Sequence, residues 1–191
     1  MRLIWDILLF VVVAAGLGLG SAYTAINHAD KLGLYQIGPW MAWPEATSPK
    51  ADPYTRAQQA RQGALLLGAG EGLAFEAIHD DDGTPLDGAC QYRLSGKQLP
   101  ARLWTLSLLN EQGKVVENPS SRYSFHSQSI MRNAGDAFDI VVGPQVLGGN
   151  WLQSPQNGTF RLVLRLYETP LTSGGTLSDI ALPSIRWESC R

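Results

Sequence analysis

Two stretches gather the side chains most able to do chemistry. The first is Arg122-Tyr123-Ser124-Phe125-His126-Ser127. Extended, it puts Arg122, Ser124 and His126 on one face and Tyr123 and Phe125 on the other, because side chains alternate along a strand. Such a polar face suits an anion or a sugar, or a serine nucleophile beside a histidine base. The nucleophilic version also needs an orienting acid, and spacing alone does not bring Asp136 or Asp139 to it. The chain has no G-x-S-x-G elbow, which excludes a hydrolase of the α/β type by pattern. The second stretch is His79-Asp80-Asp81-Asp82-Gly83. Three carboxylates in a row are oxygen ligands for a hard cation such as calcium. The loop spacing of an EF-hand is missing, since no glutamate stands six residues beyond Gly83. Asp and Gly are also what a tight turn selects on backbone grounds, and the turn is the preferred reading.

A third candidate is Gly148-Gly149-Asn150-Trp151, a glycine loop carrying an aromatic. With Arg122, Tyr123 and His126, Asn150 and Trp151 would line a glycan-like or peptide-like site at one end of a β domain. Trp151 plugging the end of the core is the plainer reading. Arg161 and Arg165 flank Val163 on one strand face, where carboxylates of neighbouring strands would pair with them.

Hydrophobic periodicity supplies the elements that must position these residues. From Gly72 the pattern has period two, with Leu73, Phe75, Ala77 and His79 alternating against Ala74, Glu76 and Ile78. Asp80 to Gly83 then turns the chain, and Ala89 to Leu94 reads as the return strand of a hairpin. Further strands are predicted at 102–109, 114–117, 123–127, 138–142 and 160–167, with Ile185 and Trp187 ending the series. Residues 127–133 suit a single helical turn. Asp52-Pro53 starts one short helix, with a cap residue before proline at the first helical position, and that helix ends near Gly63. Short strands separated by Gly/Pro/Asn turns predict a mainly β, antiparallel jelly-roll or β-sandwich domain. It would occupy residues 53–191, behind a connector at 26–52 that carries Tyr35, Trp40 and Trp43 among prolines.

Residues 1–25 form the remaining segment. Leu3–Ala25 is apolar, and no charge occurs from Ile7 to Ala22. About 20 such residues cross the hydrocarbon core as a helix, so a single transmembrane anchor is expected. Trp5 and Tyr23 bracket it as interfacial aromatics. The run is longer than a signal-peptide core and lacks a clean small-x-small cleavage site, so the anchor is read as uncleaved. Arg2 before it, against His28, Asp30 and Lys31 after it, favours a cytoplasmic amino terminus.

Beyond the anchor about 165 residues remain, enough for one well-buried domain. The net charge of -2 carries no basic block, so nucleic acid is not an expected partner. Cys90 and Cys190 are the only cysteines. An even pair in an oxidising compartment reads as a disulfide, with two buried free thiols as the alternative. A bridge closing about 100 residues would contribute about 4–5 kcal/mol in the chain-entropy account.

Several phrases together resemble one bacterial family. They are ADPYTRA at 51–57, DDDGTPLDG at 80–88, PARLWTLSL at 100–108, NPSSRYSFHS at 118–127 and GNWL…GTFRLVLRLY across 149–167. The chain resembles the domain of unknown function 1214 family in its short, membrane-anchored form. The resemblance implies a jelly-roll-like β fold and no established activity or cofactor. It also implies that longer relatives carry a companion domain, the 1254 family, which the anchor replaces here. Gln153 stands where the resemblance leads one to expect proline.

Two functional classes follow. The first is a periplasmic β domain, held in the inner membrane, that binds a partner protein or glycan. Its specific version is a separate protein carrying the companion 1254-family domain. The alternative is a hydrolase- or isomerase-type enzyme using His126 or the Asp80–Asp82 cluster. A purely structural spacer is a third reading.

Overall fold

The computed structural model describes residues 2–27, 33–48, 51–62, 67–68, 70–170 and 180–190. The chain forms two compact units, Met1–Leu34 with Glu45–Leu66, and Tyr35–Pro44 with Leu67–Arg191. The residues His28, Asp30 and Lys31 that bear on orientation, and Gly63 at the expected helix end, lie outside the described residues.

Among the described residues the first unit holds two helices. Helix α1 runs Arg2–Asn27, is long and apolar enough to cross a membrane, and has none of its residues buried. Leaving so many Leu, Val and Phe side chains in water forfeits their transfer energy, so α1 is a candidate membrane span or signal sequence, consistent with membrane anchoring. Its hydroxyls are satisfied within the helix. Ser21 donates to the Gly18 carbonyl, and Thr24 to those of Gly20 and Ser21. Helix α2 runs Pro53–Gln62. It starts at the expected cap, where the Asp52 carboxylate accepts the Tyr54 and Thr55 amides at 2.9 and 3.0 Å and the Thr55 hydroxyl. Those bonds, led by the Thr55 hydroxyl, hold the Asp52 carboxyl below its ordinary range.

The second unit is mainly β. Its strands are β1 (Tyr35–Ile37), β2 (Trp40–Ala42), β3 (Gly72–Ala77), β4 (Cys90–Gly96), β5 (Leu103–Asn110), β6 (Ser124–His126), β7 (Phe138–Gly143), β8 (Trp151–Gln153), β9 (Phe160–Tyr167) and β10 (Ser184–Cys190). They make a six-stranded sheet in the order β1-β2-β3-β9-β5-β6 and a four-stranded sheet in the order β10-β4-β7-β8. Neighbours are antiparallel except for the parallel pair β7–β8.

The core forms where the alternating apolar faces of the two sheets meet. Phe75, Trp104, Leu106, Leu108, Leu162, Leu164 and Leu166 come from one sheet; Tyr92, Leu94, Phe138, Ile140, Val142, Leu152 and Ile185 come from the other. Aromatic pairs cross the gap, Tyr92 edge-on to Phe160 and Trp104 tilted on Phe138. The expectation of a mainly β fold with two packed layers therefore holds.

Three local expectations are corrected. Cys90–Gly96 is not the hairpin partner of β3, because it lies in the other sheet. The Asp80 turn does reverse the chain, but it pairs only His79 with Pro85 before the chain crosses over at Asp87 and Gly88. Residues 114–117 form no strand; only Val115 bridges back to Leu109. The helical turn expected at 127–133 occurs instead as a short 3-10 turn at Ala134–Asp136. The connector aromatics pack onto the β unit. Trp40 is 1% exposed, and its indole N–H donates to the Pro183 carbonyl at 2.7 Å.

Cys90 and Cys190 are directly opposed in the β4–β10 register and are joined by a disulfide. This bridge closes a loop with a sequence separation of 100. Cys190→Ser is expected to lower unfolding stability by about 2–5 kcal/mol, read from denaturant midpoints with and without reductant. Two thiols that label freely in the non-reduced native protein would contradict the bridge. Burial pushes the Tyr92 phenol above its ordinary value of 10. The folded state then keeps a proton the unfolded chain loses, so this contribution is full below pH 10 and fades as pH rises above it. Tyr92→Phe should flatten that alkaline loss in denaturation curves measured across pH 9–12.

Candidate functional site

The Arg122 region is built by a turn. Asn118 organises it, accepting the Arg122 amide at 3.2 Å and donating to the Arg122 carbonyl at 3.1 Å, and Ser121 takes a positive φ of 50°. This tight turn delays strand pairing until Ser124, so the alternation expected from Arg122 onward begins two residues late. Arg122 consequently leaves the His126 face. Its guanidinium lies 5.5 Å from the centre of the Phe125 ring, whose side chain is buried, and reaches the Trp151 carbonyl at 3.4 Å. Tyr123 is 38% exposed, and its carbonyl accepts the Leu108 amide.

Asn150 and Trp151 face inward. Asn150 is 7% exposed, and its amide is fully occupied by backbone. Its oxygen accepts the Met131 amide at 2.8 Å, while its nitrogen donates to the Met131 and Asp139 carbonyls at 2.8 and 2.9 Å. This side chain fastens the 130s loop to β7. Trp151 is 4% exposed and donates its indole N–H to the Gly143 carbonyl at 3.1 Å. The plainer reading, a tryptophan closing part of the packed interior, fits this geometry. Gln153 ends β8 as an ordinary strand residue opposite Gly143.

Two of the three aspartates, Asp80 and Asp81, also serve the backbone. Asp80 is 3% exposed, and one carboxylate oxygen accepts the Asp82 and Thr84 amides at 3.1 and 2.8 Å. Asp81 reaches β10, where its amide donates to the Ile185 carbonyl at 2.8 Å and its carboxylate accepts the Ile185 amide at 3.0 Å. Among the described residues no group of three His, Cys, Asp or Glu side chains is placed to hold a metal ion. The geometry is that of an aspartate turn.

His126 stands on the outer face of the six-stranded sheet, opposite Thr105, which is itself opposite Arg165. Among the described residues no acid bonds its imidazole. Asp139 bonds Ser95 at 2.6 Å and Asn133 at 2.9 Å instead. On the same face Arg161 pairs with Glu76 at 2.7 Å and donates to the Glu111 carbonyl at 2.7 Å. The structure thus links Arg122 to Trp151 through one backbone contact and leaves His126 on a different face.

Comparison with known proteins follows from this fold. The family model described as "Protein of unknown function (DUF1214)" matches residues 71–171, more than half of the chain. The chain belongs to the DUF1214 family. Among solved structures it is similar to the VPA0106 protein from Vibrio parahaemolyticus, with a TM-score of 0.60 and 19% identity. That alignment covers 76% of this chain and 37% of the Vibrio protein. An uncharacterised protein from Burkholderia cenocepacia aligns with a TM-score of 0.41 and 16% identity over 92% of this chain and 51% of its own. The DUF1214 chain therefore spans well under two thirds of either solved protein. No curated protein matches it.

Sequence reasoning missed Asn118 and Asp81 as organisers. Asn-x-Ser-Ser and Asp-Asp-Asp are turn-forming compositions, and that signal identifies where the backbone bonds fall but not which carbonyl or amide they reach. In this DUF1214 chain, Asn150→Ala strands the Met131 amide and two carbonyls. A loss of about 2–4 kcal/mol is expected from urea unfolding, against less than about 1 kcal/mol for Tyr123→Ala on the surface.

Proposed function

We propose that this DUF1214 chain is a non-enzymatic, single-pass inner-membrane protein whose β unit lies in the periplasm and binds a separate partner protein there. The observation that carries the reading is where the reactive side chains go. Arg122, Asn150, Trp151, Asp80 and Asp81 all bond backbone of their own fold. A catalytic constellation needs such groups directed at a substrate.

Two further features support the placement. A disulfide persists in an oxidising compartment, and the same chain carries an apolar helix long enough to span a bilayer. The amino terminus would then be cytoplasmic. The companion 1254-family domain is the expected content of the partner protein.

Mild-detergent extraction of the full chain from its native membrane, followed by size exclusion, tests this. A stoichiometric second protein carrying the companion domain should co-elute. A chain that elutes alone and monomeric refutes the reading.

A further inference from the structure

The outer face of the six-stranded sheet carries an uncompensated cation. Register places Ala74, Arg165, Thr105 and His126 in one row across β3, β9, β5 and β6. The next row holds Glu76, Val163, Ser107 and Ser124. Glu76 is diagonal to both arginines of β9, and it bonds Arg161. Arg165 makes no hydrogen bond or ion pair among the described residues, although its neighbours half-bury it. Other sheet arginines differ. Arg93 pairs with Glu188, and Arg102 with Glu168 at 2.9 Å; unpaired Arg186 sits exposed on β10. Partial burial of a charge without a partner costs free energy, and departures of that kind concentrate at functional sites.

We propose that Arg165, His126 and Thr105 form a binding site for a phosphate group. Adjacent strands lie about 4.8 Å apart, so the bases of Arg165 and His126 stand about 10 Å apart with Thr105 between them. A phosphate above Thr105 accepts two parallel N–H bonds from the guanidinium fork, one from the imidazole and one from the hydroxyl. Ser107 and Ser124 add hydroxyl donors at the rim. No acid occupies the row to repel an anion. The site is independent of the partner-binding reading, and either stands without the other.

The full chain in neutral-detergent micelles, titrated with inorganic phosphate by calorimetry, provides the test. Saturable binding is expected, weakened about tenfold or more in Arg165→Gln and in His126→Gln, and unchanged in Arg186→Gln. Thr105→Val keeps the side-chain shape and removes one donor, so it should weaken binding without perturbing the fold. Competition identifies the source of the group. Displacement by phosphatidylglycerol micelles but not by phosphatidylcholine assigns a lipid headgroup, and displacement by neither assigns a soluble phosphate compound. The proposal is overturned if neither phosphate nor phosphatidylglycerol binds, or if Arg165→Gln and Thr105→Val bind as the parent does.

Discussion

Strand β9 is the constraint on which the β unit depends. It is registered on β3 through Leu162–Tyr167 and on β5 through Phe160–Tyr167, so both of its edges are occupied. Phe160, Leu162, Leu164 and Leu166 point into the core, and Arg161, Val163 and Arg165 point outward. A slip of one residue would exchange the two sets and place guanidinium groups in the apolar interior. Gly72 reinforces the register, because a side chain there would collide with the Leu166 carbonyl. The same pairing that builds the core therefore also composes the outer face.

Much of this was legible, for an identifiable reason. β3, β5 and β9 are six to eight residues long and mostly alternate buried with less buried positions, so their period-two pattern shows in the sequence. β1, β2 and β8 are three residues each, too short for any period to register. Their membership depends on tertiary contacts such as the Trp40 indole on Pro183. Sheet membership was hidden at the Asp80 turn for the same reason. A turn composition predicts reversal, but the strand after it can join either sheet.

The candidate site was legible by residue type and not by direction. Asn150 and Asp80 look like ligands in sequence because they carry oxygens, and loops without regular ladders need those oxygens for their own amides. Arg122 was misdirected by one positive-φ residue, Ser121, which no strand pattern anticipates. His126 and Thr105 become neighbours only through the β5–β6 register, which local sequence does not encode.

The contacts of Asp81 with β10 and of Trp40 with Pro183 just before it have a colloidal consequence. β10 is the longest strand lying at a sheet margin among those described, and a bare margin invites strangers to extend the sheet. Pro183 offers no amide and its carbonyl is held by Trp40, while both groups of Ile185 are held by Asp81. In a crowded compartment, that stoppering makes the aspartate turn a guard against fibre-like self-association.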